Sequence, residues 1–452
     1  MAKKTHRRKK GDRGIIRVFR HGLGDCILIC LKKQDSSEYK ILIDCGVAVA
    51  TKDSKNMMTN VVQDVLERTG RKIDVLVVTH QHWDHVSGFT QASDLFKKLE
   101  VGEVWLAWTE DQNDPLAKDL REKHSAALAA LDKSVAALAL AGQSGRAEEI
   151  QLTLGMQGAS GEKTSTAFEF AKALSRKKAL RYWRPTASEK VAGQQTEPLK
   201  LKDPDVTIYA LGPPHDNKLL RKTLPSKTNP ETFELAVDGS GILSLDVISA
   251  LDGIQDNPPF APIVTIPFEV ARGETFFQNH YWGVLEEKQD WRRIDSDWLG
   301  AADTLALAMQ AATNNTSLVL AIEFSDGDVL LFVGDAQVGN WLSWVDLGWK
   351  IGQRTVKAAD LLDRTIFYKV GHHGSHNATL REKGLDLMTR LETAVIPVDQ
   401  EVARKMKWGA MPLASLIEAL EKKPCRVLRT DIPPTKAMQG IAVTELYYEI
   451  SL

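Results

Sequence analysis

Cysteine is scarce in this chain, and long hydrophobic runs are absent from it. Four of the 452 residues are cysteine and no Cys-x-x-Cys pair occurs, which excludes a scaffold built on disulfides and favours a reducing, intracellular setting. No apolar run approaches the ~18 residues that a membrane-spanning helix requires. We therefore expect a cytoplasmic protein without a membrane segment.

An excess of charge is also lacking. The chain has 58 Lys and Arg against 59 Asp and Glu, which argues against a wholly basic nucleic-acid binder but leaves local patches open. Hydrophobic residues make up 43% and charged residues 26%, as in globular proteins, so a mainly disordered, collagen-like or coiled-coil chain is excluded. The basic N-terminus has no apolar segment after it, and this predicts a disordered tail rather than a signal peptide. A weak contact with a phosphate backbone is the alternative for this tail.

Short β-branched runs bounded by turn residues predict buried strands in both halves of the chain. The strands predicted in the N-terminal half cover residues 15–19, 26–30, 41–43 and 73–78, and a helix is predicted around 54–69. Those predicted in the C-terminal half cover 317–322, 329–333, 366–370, 394–398 and 425–429, with helices at 301–312 and 412–422. The turn at 325–328 predicts a hairpin between two of these strands.

The middle of the chain has a different composition. Residues 115–180 are rich in Ala, Leu, Lys and Glu, which predicts one or two long helices, interrupted by a polar loop at 154–165. A strand is predicted at 206–211. Residues 216–300 are irregular and contain proline, with a helix predicted near 285–298.

Three predicted strands end in residues of the types that bind metals. His80, His82, Asp84 and His85 follow the strand at 73–78, Asp335 follows a second strand, and His372 and His373 follow a third. Imidazoles and carboxylates are ligands for zinc, and also for manganese or iron. Side chains alternate along an extended segment, so His80 and His82 can point to the same side and share one metal.

The pattern His80-x-His82-x-Asp84-His85, with Gly334-Asp335 and His372-His373 downstream, resembles the signature of the metallo-β-lactamase superfamily. The resemblance implies an α/β fold, the αββα sandwich of that superfamily, here with helical and irregular insertions. It also implies a hydrolase that uses two divalent metal ions, with zinc expected and manganese as the alternative.

Within the superfamily, the chain is most similar to the metallo-hydrolase domain of the ComEC DNA-uptake family. The stretches that carry this similarity are 22–26, 42–46, 314–320, 372–375 and 429–431. The similarity covers about 15–110, 203–215 and 312–450, without the channel part of that family, so DNA import is not implied.

The resemblance also implies a division of the chain into segments. These are a basic tail (1–13), the N-terminal half of the fold (14–110), a helical insertion (111–200), a return strand (201–215), an irregular insertion (216–300) and the C-terminal half of the fold (301–452).

The ligands of the two metals follow from the same resemblance. His80 and His82 would bind the first metal, Asp84 and His85 the second, and Asp335 would bridge them.

The remaining ligands are less directly implied. His372 comes first after its strand and is favoured over His373 for the second metal, although the reverse order stays open. Many members of the superfamily place a histidine before the strand at 317, where this chain has Asn314 and Asn315, so the first metal has a poorer ligand there. His215 is a possible substitute, and a histidine in a surface loop is the competing interpretation.

The implied mechanism is attack by a hydroxide that bridges the two metals, because such ions lower the pKa of a bound water to near neutrality. Asp84 would orient the hydroxide, and His373 or His376 would protonate the leaving oxygen. Asp25 and Asp44 are expected to orient ligand histidines, with turn formation as their alternative role.

One basic and aromatic segment suggests a polyanionic substrate, since cations can contact phosphates while rings stack on bases. Its candidate nucleic-acid contacts are Arg176, Lys177, Lys178, Arg181, Trp183 and Arg184. The end of a helix with aromatic side chains in the core would give the same pattern.

These observations favour a metal-dependent phosphodiesterase or nuclease acting on nucleic acid or another phosphodiester. A hydrolase of a small ester, lactone, amide or cyclic nucleotide is the first alternative. The second is a subunit with weak metal loading that depends on a protein partner bound through the insertions.

Overall fold

The computed structural model describes most of the chain, and it divides the chain into two compact units. The described residues are 12–140, 144–145, 147–148, 150–151, 162–175, 179–186, 191–226, 231–233, 266, 268–282, 300–406 and 408–452. The first unit comprises Met1–Arg121, Gly155–Val237 and Ala311–Leu452, and the second comprises Glu122–Leu154 and Asp238–Gln310.

The first unit contains the strands. They are β1 (Gly14–Phe19), β2 (Ile27–Lys32), β3 (Glu38–Ile43), β4 (Lys72–Val77), β5 (Glu100–Ala107), β6 (Leu180–Trp183), β7 (Gln194–Gln195), β8 (Leu199–Leu201), β9 (Val206–Gly212), β10 (Val319–Phe324), β11 (Val329–Phe332), β12 (Gly348–Ile351), β13 (Arg354–Lys357), β14 (Thr365–Lys369), β15 (Thr393–Ile396), β16 (Arg426–Arg429), β17 (Ile441–Val443) and β18 (Tyr447–Ser451). The first sheet has the order β17-β18-β1-β2-β3-β4-β5-β6-β7, the second β16-β15-β14-β11-β10-β9-β8, and β12 pairs with β13.

The described helices are distributed over both units. The α-helices are Ser54–Thr69, Trp83–Gln91, Ser93–Phe96, Pro115–Leu140, Glu162–Ala173, Asn217–Arg221, Phe268–Gly273, Thr275–Phe277, Gly300–Asn315, Val338–Leu342, Ala358–Asp363, Gln400–Lys405 and Ala414–Glu421. Short 3-10 helices are Trp108–Glu110, Ser343–Asp346, Gly371–Gly374 and Leu385–Leu387, and Gln278–Trp282 is a π-helix.

The core of the first unit is arranged in layers. One buried cluster joins side chains of both large sheets, such as Ile29 and Leu320. A second lies between the first sheet and its helices, as in the packing of Leu42 near Val61, and a third covers the other face of the second sheet. Helix, sheet, sheet and helix thus form the αββα sandwich that the sequence predicts.

The direction of the strands places the polar motifs at one edge of each sheet. β3, β4 and β5 run parallel, so their carboxyl ends meet at one edge, and β11 and β14 are parallel in the second sheet. The segments after β3 and β4 carry Asp44 and His80, and those after β11 and β14 carry Asp335 and His372. Binding residues at the carboxyl ends of parallel strands are typical of α/β sheets.

Most of the predicted elements of the first unit are present. The helix at 54–69 and the hairpin of β10 with β11 are confirmed, while β5 lies in a segment for which no strand was predicted. In the middle of the chain, helices Pro115–Leu140 and Glu162–Ala173 are observed, whereas most of the loop at 154–165 and the helix near 285–298 lie outside the described residues.

Arg13 departs from the prediction of a disordered tail over 1–13. Its guanidinium Nη1 lies 3.0 Å from Asp326 Oδ2 and 2.9 Å from Asp328 Oδ2, and the residue is buried. Two carboxylates therefore fix the last residue of that segment against the second sheet, and residues 1–11 lie outside the described residues. Within the part of the chain that the structure describes, no helix has the length and apolarity needed to cross a bilayer.

Candidate metal centre

His80 and His82 form a pair of converging imidazoles just beyond β4. His80 Nε2 lies 3.0 Å from His82 Nδ1, and both residues are buried. The Thr79 hydroxyl donates to Asp44 Oδ2, so its oxygen can accept from His80 Nδ1 at 3.1 Å. This arrangement leaves His80 Nε2 unprotonated, and a cation can bind both facing nitrogens.

A second group of four buried side chains lies at the same edge. Ligand atoms of Asp84, His85, Asp335 and His373 all lie within 4.8 Å of one another. His373 Nε2 is 2.9 Å from Asp84 Oδ2 and 3.6 Å from Asp335 Oδ2, and His85 Nε2 is 3.2 Å from Asp335 Oδ2. Two imidazoles and two carboxylates in this arrangement fit a divalent metal ion.

Two glycines, Gly24 and Gly46, let neighbouring turns pack closely against the backbone of the metal motif. Helix Trp83–Gln91 begins directly after His82, which puts Asp84 and His85 in its first turn. A Cβ on Gly46 would lie 2.5 Å from the backbone of Asp84 and His85, and one on Gly24 would lie 2.6 Å from the Asp84 carbonyl oxygen. Only glycine allows these two turns to approach the metal motif so closely.

Asp44 orients the first-turn histidine from outside the cluster. His85 Nδ1 donates to Asp44 Oδ2 at 2.8 Å, and the Thr79 N–H donates to Asp44 Oδ1 at 2.8 Å. With Nδ1 protonated, His85 directs its other nitrogen toward Asp335. The contact has the geometry expected of a carboxylate that orients a ligand histidine.

Lys369 is a functional candidate that the sequence analysis missed. Its ammonium lies 2.5 Å from Asp25 Oδ2, 2.8 Å from the Gly334 carbonyl oxygen and 3.4 Å from Asp335 Oδ1. Asp25 therefore pairs with a lysine rather than directly orienting a histidine, since it is 3.8 Å from His85 Nδ1. A lysine at the end of an apolar strand is not by itself recognisable as a site residue in the sequence. The one signal that could have identified Lys369 is its position two residues before Gly371, where the His372-His373 motif begins.

The electrostatics of the cluster reflect its paired charges. Burial opposes ionisation, but His85 and His373 lower the pKa of Asp84 to about 2 and hold the pKa of Asp335 well below its usual range. Burial likewise opposes protonation of the two imidazoles, but Asp335 and Asp84 raise the pKa of both His85 and His373. In the metal-free protein, protons on these two histidines therefore neutralise the negative charge of the carboxylates, which a bound cation would otherwise neutralise.

The imidazoles of His80 and His82 are neutral, whereas the buried lysine is charged. Burial lowers the pKa of His82 to about 4, and burial together with the neighbouring imidazoles moves the pKa of His80 well below its usual value. Both are therefore neutral near pH 7, as metal ligands must be. Burial disfavours the charge of Lys369, but Asp25 and Asp335 raise its pKa to about 12.

The structure corrects the expected order of the paired histidines. His373, rather than His372, reaches Asp84 and Asp335, while His372 Nε2 lies 3.1 Å from Asn314 Nδ2. Both residues have left-handed backbone conformations, with φ of 41° and 53°, which turn the two rings in different directions. Position directly after a strand was a poor guide because the chain turns sharply there.

The remaining predicted residues are distributed around this centre. His376 is exposed and is not in the four-residue cluster. Asn315 donates to backbone carbonyls of residues 219, 220 and 222 and serves the fold. His215 pairs with Asp114 at 3.0 Å, so its Nε2 is used away from the cluster.

The predicted nucleic-acid contacts are only partly described, and two of them serve the fold. Arg176, Lys177 and Lys178 lie outside the described residues. Trp183 is 1% exposed and packs on Trp105 with ring centroids 4.9 Å apart, which corrects its expected role as a platform for bases.

The two arginines flanking that tryptophan are partly buried beside acidic residues. Arg181 pairs with Glu103 at 3.0 Å, and Arg184 Nη1 is 3.9 Å from Asp114 Oδ2. Their charges are therefore partly compensated within the protein.

The fold and this site define a class of protein, and the comparison with known families agrees. Residues 20–104, which include the first metal motif, match the family model described as Metallo-beta-lactamase superfamily. No curated protein and no solved structure shows significant similarity to the chain. The match, the αββα fold and the buried His/Asp cluster indicate a metal-dependent hydrolase.

Proposed function

We propose that the protein is a metal-dependent phosphodiesterase, with nucleic acid as the substrate class. The observation that carries the proposal is the buried centre in which the His80 and His82 pair lies at the same edge of the fold as the four-residue cluster. The resemblance of the motifs at 22–26, 42–46, 314–320 and 372–375 to the ComEC family supports the phosphodiester part of the proposal.

The residues present fit two divalent ions, which when bound would supply a nucleophile from water and Lewis acidity toward a phosphoryl oxygen. His80 and His82 would hold one ion, and Asp84, His85 and His373 the other, with Asp335 between them. Lys369 holds Asp335 through its Oδ1, which leaves Oδ2 directed at His85 and His373. We assign proton transfer to the leaving oxygen to His376, because it is exposed and His373 belongs to the cluster.

We propose zinc as the ion, with manganese as the alternative. Four imidazoles and two carboxylates suit zinc, whereas the carboxylates and the Asn314 amide would also suit manganese. We also propose a cytoplasmic location, which the four free cysteines support.

A small-molecule phosphodiester or ester is the second candidate substrate. The burial of Trp183 and the pairing of Arg181 with Glu103 favour it, because neither side chain is displayed for a nucleic-acid strand. If the metal-loaded chain cleaved neither phosphodiesters nor esters, that result would favour an activity that depends on a protein partner bound through the insertions.

Hydrolysis by metal-loaded protein tests the proposal. The substrates are single-stranded DNA, double-stranded DNA, RNA, a chromogenic phosphodiester and a carboxylic ester. We expect cleavage of phosphodiesters and a loss of at least about 100-fold in Asp84→Asn, whereas Asp94→Asn, on the exposed surface, should retain activity. Cleavage of the carboxylic ester alone, or full activity in Asp84→Asn, would contradict the proposal.

A further inference from the structure

We propose that His215 and Arg184 form a subsite that binds a second phosphate group of the substrate, one that the metals do not act on. The inference rests on the proposed phosphodiesterase function, because it concerns what the same edge of the fold binds. It assigns a role to a group of polar side chains that the four-residue cluster does not include.

The proposed subsite lies at the edge of the fold that carries the metal motif. β4, β5 and β6 run parallel, so the segments that carry His80, Trp108 and Arg184 leave the first sheet at one edge. β9 is antiparallel to β10, and β10 to β11, so His215 follows β9 at the edge of the second sheet where Asp335 follows β11. Two strand spacings, about 10 Å, separate β6 from β4.

Three contacts connect this part of the edge. Trp108 Nε1 donates to the Pro213 carbonyl oxygen at 2.9 Å, and the ring centroids of Trp108 and His215 lie 4.3 Å apart. Gln81, which lies between the two histidines of the metal motif, donates to Glu110 Oε2 at 2.5 Å. The segment after β5 therefore contacts both the metal motif and the loop that carries His215.

Asp114 fixes the orientation of His215 from the protein interior. Its Oδ2 accepts from His215 Nε2 at 3.0 Å, and its Oδ1 accepts from the N–H groups of Leu116 and Ala117 at 3.0 Å. Burial opposes ionisation of Asp114, but hydrogen bonds that include those from Ala117 and His215 lower its pKa. With Nε2 donating to this carboxylate, His215 has Nδ1 left for a ligand. In the imidazolium form that nitrogen can donate to a phosphate oxygen.

Arg184 has hydrogen-bonding capacity that the described residues leave unused. Its Nε is buried without a partner, and its Nη1 lies 3.9 Å from Asp114 Oδ2, too far for a hydrogen bond. Burial lowers the pKa of Arg184 although Asp114 opposes this effect, as expected of a guanidinium that has lost water without gaining acceptors. Arg181, by contrast, donates to both carboxylate oxygens of Glu103. A phosphate group offers the acceptors that the Arg184 guanidinium lacks.

The cationic side chains of the subsite are more exposed than its carboxylates. The side chains of His215 and Arg184 are 26% and 18% exposed, whereas that of Asp114 is 3% exposed. The second carboxylate, Asp111, is also buried, and its Oδ2 accepts from Gln194 Nε2 at 3.0 Å. An anion that approaches from solvent therefore meets the imidazole and the guanidinium before the carboxylates.

The position of the subsite specifies the class of substrate. A separation of about 10 Å along the edge is too large for the phosphate that the metals act on, but it suits a neighbouring phosphate of the same molecule. The substrate is accordingly a phosphodiester that carries a second phosphate, such as the phosphorylated end of a strand.

Equilibrium binding to the metal-depleted full chain tests the inference without reference to catalysis. The probes are thymidine dinucleotides with a 5′-phosphate, with a 3′-phosphate and with neither, titrated by calorimetry. We expect one of the phosphorylated probes to bind at least about 10-fold more tightly than the unphosphorylated probe, as a hydrogen bond to a charged group provides. Arg184→Met and His215→Gln should each reduce this preference to less than about 3-fold, with unchanged affinity for the unphosphorylated probe.

Two further variants separate phosphate binding from effects on the fold. Arg181→Met changes the other arginine of the same segment, whose charge is paired with Glu103, and should keep the full preference. Arg184→Lys keeps the positive charge and should keep part of the preference, because an ammonium binds phosphate as a point charge.

The kinetic counterpart uses the metal-loaded protein. Arg184→Met should raise the KM for the preferred phosphorylated dinucleotide about 10-fold with an unchanged kcat, and it should leave both constants for a chromogenic phosphodiester unchanged. An equal loss on both substrates would contradict a role in binding the second phosphate.

The possible outcomes separate this inference from the proposed function. Wild-type protein that binds the three probes equally, or binds none of them, would overturn the inference, as would a preference that persists in both Arg184→Met and His215→Gln. A preference that these variants remove would support it even if the metal-loaded protein cleaved no phosphodiester, a result that would contradict only the proposed function.

Discussion

Lys369, at the end of β14, holds one of the carboxylates of the candidate metal centre in place. Its ammonium is buried between Asp25 and Asp335, and the Gly334 carbonyl oxygen accepts a further hydrogen bond from it. A buried ion pair of this kind contributes little compared with apolar packing, but removing one partner leaves an uncompensated charge. We interpret Lys369 as a positioning residue for Asp335.

Replacing Lys369 by methionine should therefore destabilise the metal-free protein. We expect Lys369→Met to lower the free energy of unfolding by about 3–5 kcal/mol, because Asp25 and Asp335 lose their buried cation. Denaturant unfolding measures this change, and Lys97→Met, at an exposed ion pair, is the matched control with an expected change below about 0.5 kcal/mol. A loss of less than about 1 kcal/mol in Lys369→Met would argue against the role.

The paired imidazoles of the cluster predict how metal affinity depends on pH. The pKa values of His85 and His373 are raised by Asp335 and Asp84, so these rings hold protons in the metal-free protein at higher pH than an ordinary histidine does. A metal must displace those protons, so affinity should fall as pH decreases. We expect the logarithm of the binding constant to rise by about one to two per pH unit near neutrality, one for each proton displaced.

Calorimetric metal titration at several pH values measures this slope. His376→Ala is the control, since an exposed histidine outside the cluster should leave the slope unchanged. An affinity that is independent of pH near neutrality would show that the cluster does not exchange protons for metal.

At the scale of elements, β6 shows why a pattern of cations and aromatics misled the sequence analysis. Its four residues, Leu180–Trp183, pair with β5 in parallel, so Trp183 points into the core between the sheets while Arg181 pairs with Glu103 on the neighbouring strand. Composition alone does not distinguish an aromatic platform from a strand with one buried face.

Truncation of Trp183 should therefore affect stability and not substrate choice. We expect Trp183→Ala to lower the free energy of unfolding by about 3–5 kcal/mol, as for other buried aromatic residues. The preference of the folded variant between DNA and a small phosphodiester should stay unchanged, which competition kinetics would measure. A selective loss of DNA hydrolysis with unchanged stability would restore the earlier interpretation.

The elements that could be predicted are those whose sequence pattern is local. β4 and β11 are short apolar runs bounded by turn residues, and the helix Ser54–Thr69 is also local in its pattern. The metal motif follows β4 closely in sequence. β5 was missed because its sequence mixes glutamate and glycine with apolar residues, and parallel pairing with β4 decides its conformation.

The details of the site that could not be predicted depend on contacts between distant segments. The choice between His372 and His373 depends on two left-handed residues, whose conformation no spacing rule reveals. The partnership of Lys369 with Asp25 joins residues 344 positions apart (369 − 25) in sequence. The sequence likewise does not distinguish Asn314 from Asn315. In the structure, Asn314 faces His372, whereas Asn315 binds the backbone near Leu220.

At the scale of the whole molecule, the metal centre belongs to the first of the two units. All the candidate ligands lie in Met1–Arg121 and Ala311–Leu452, brought together by the edges of the two large sheets. The site therefore requires both halves of the sandwich to fold, and a bound metal should stabilise them together.

The dependence of phosphodiester hydrolysis on the number of bound metal ions is the most direct test of this account. Metal-depleted protein would be titrated with zinc, and in parallel with manganese, while cleavage of a chromogenic phosphodiester and bound metal are measured together. We expect no cleavage without metal and a rise in rate that levels off at about two ions per chain. Cleavage by metal-free protein, or two tightly bound ions with no cleavage of any phosphodiester, would contradict it.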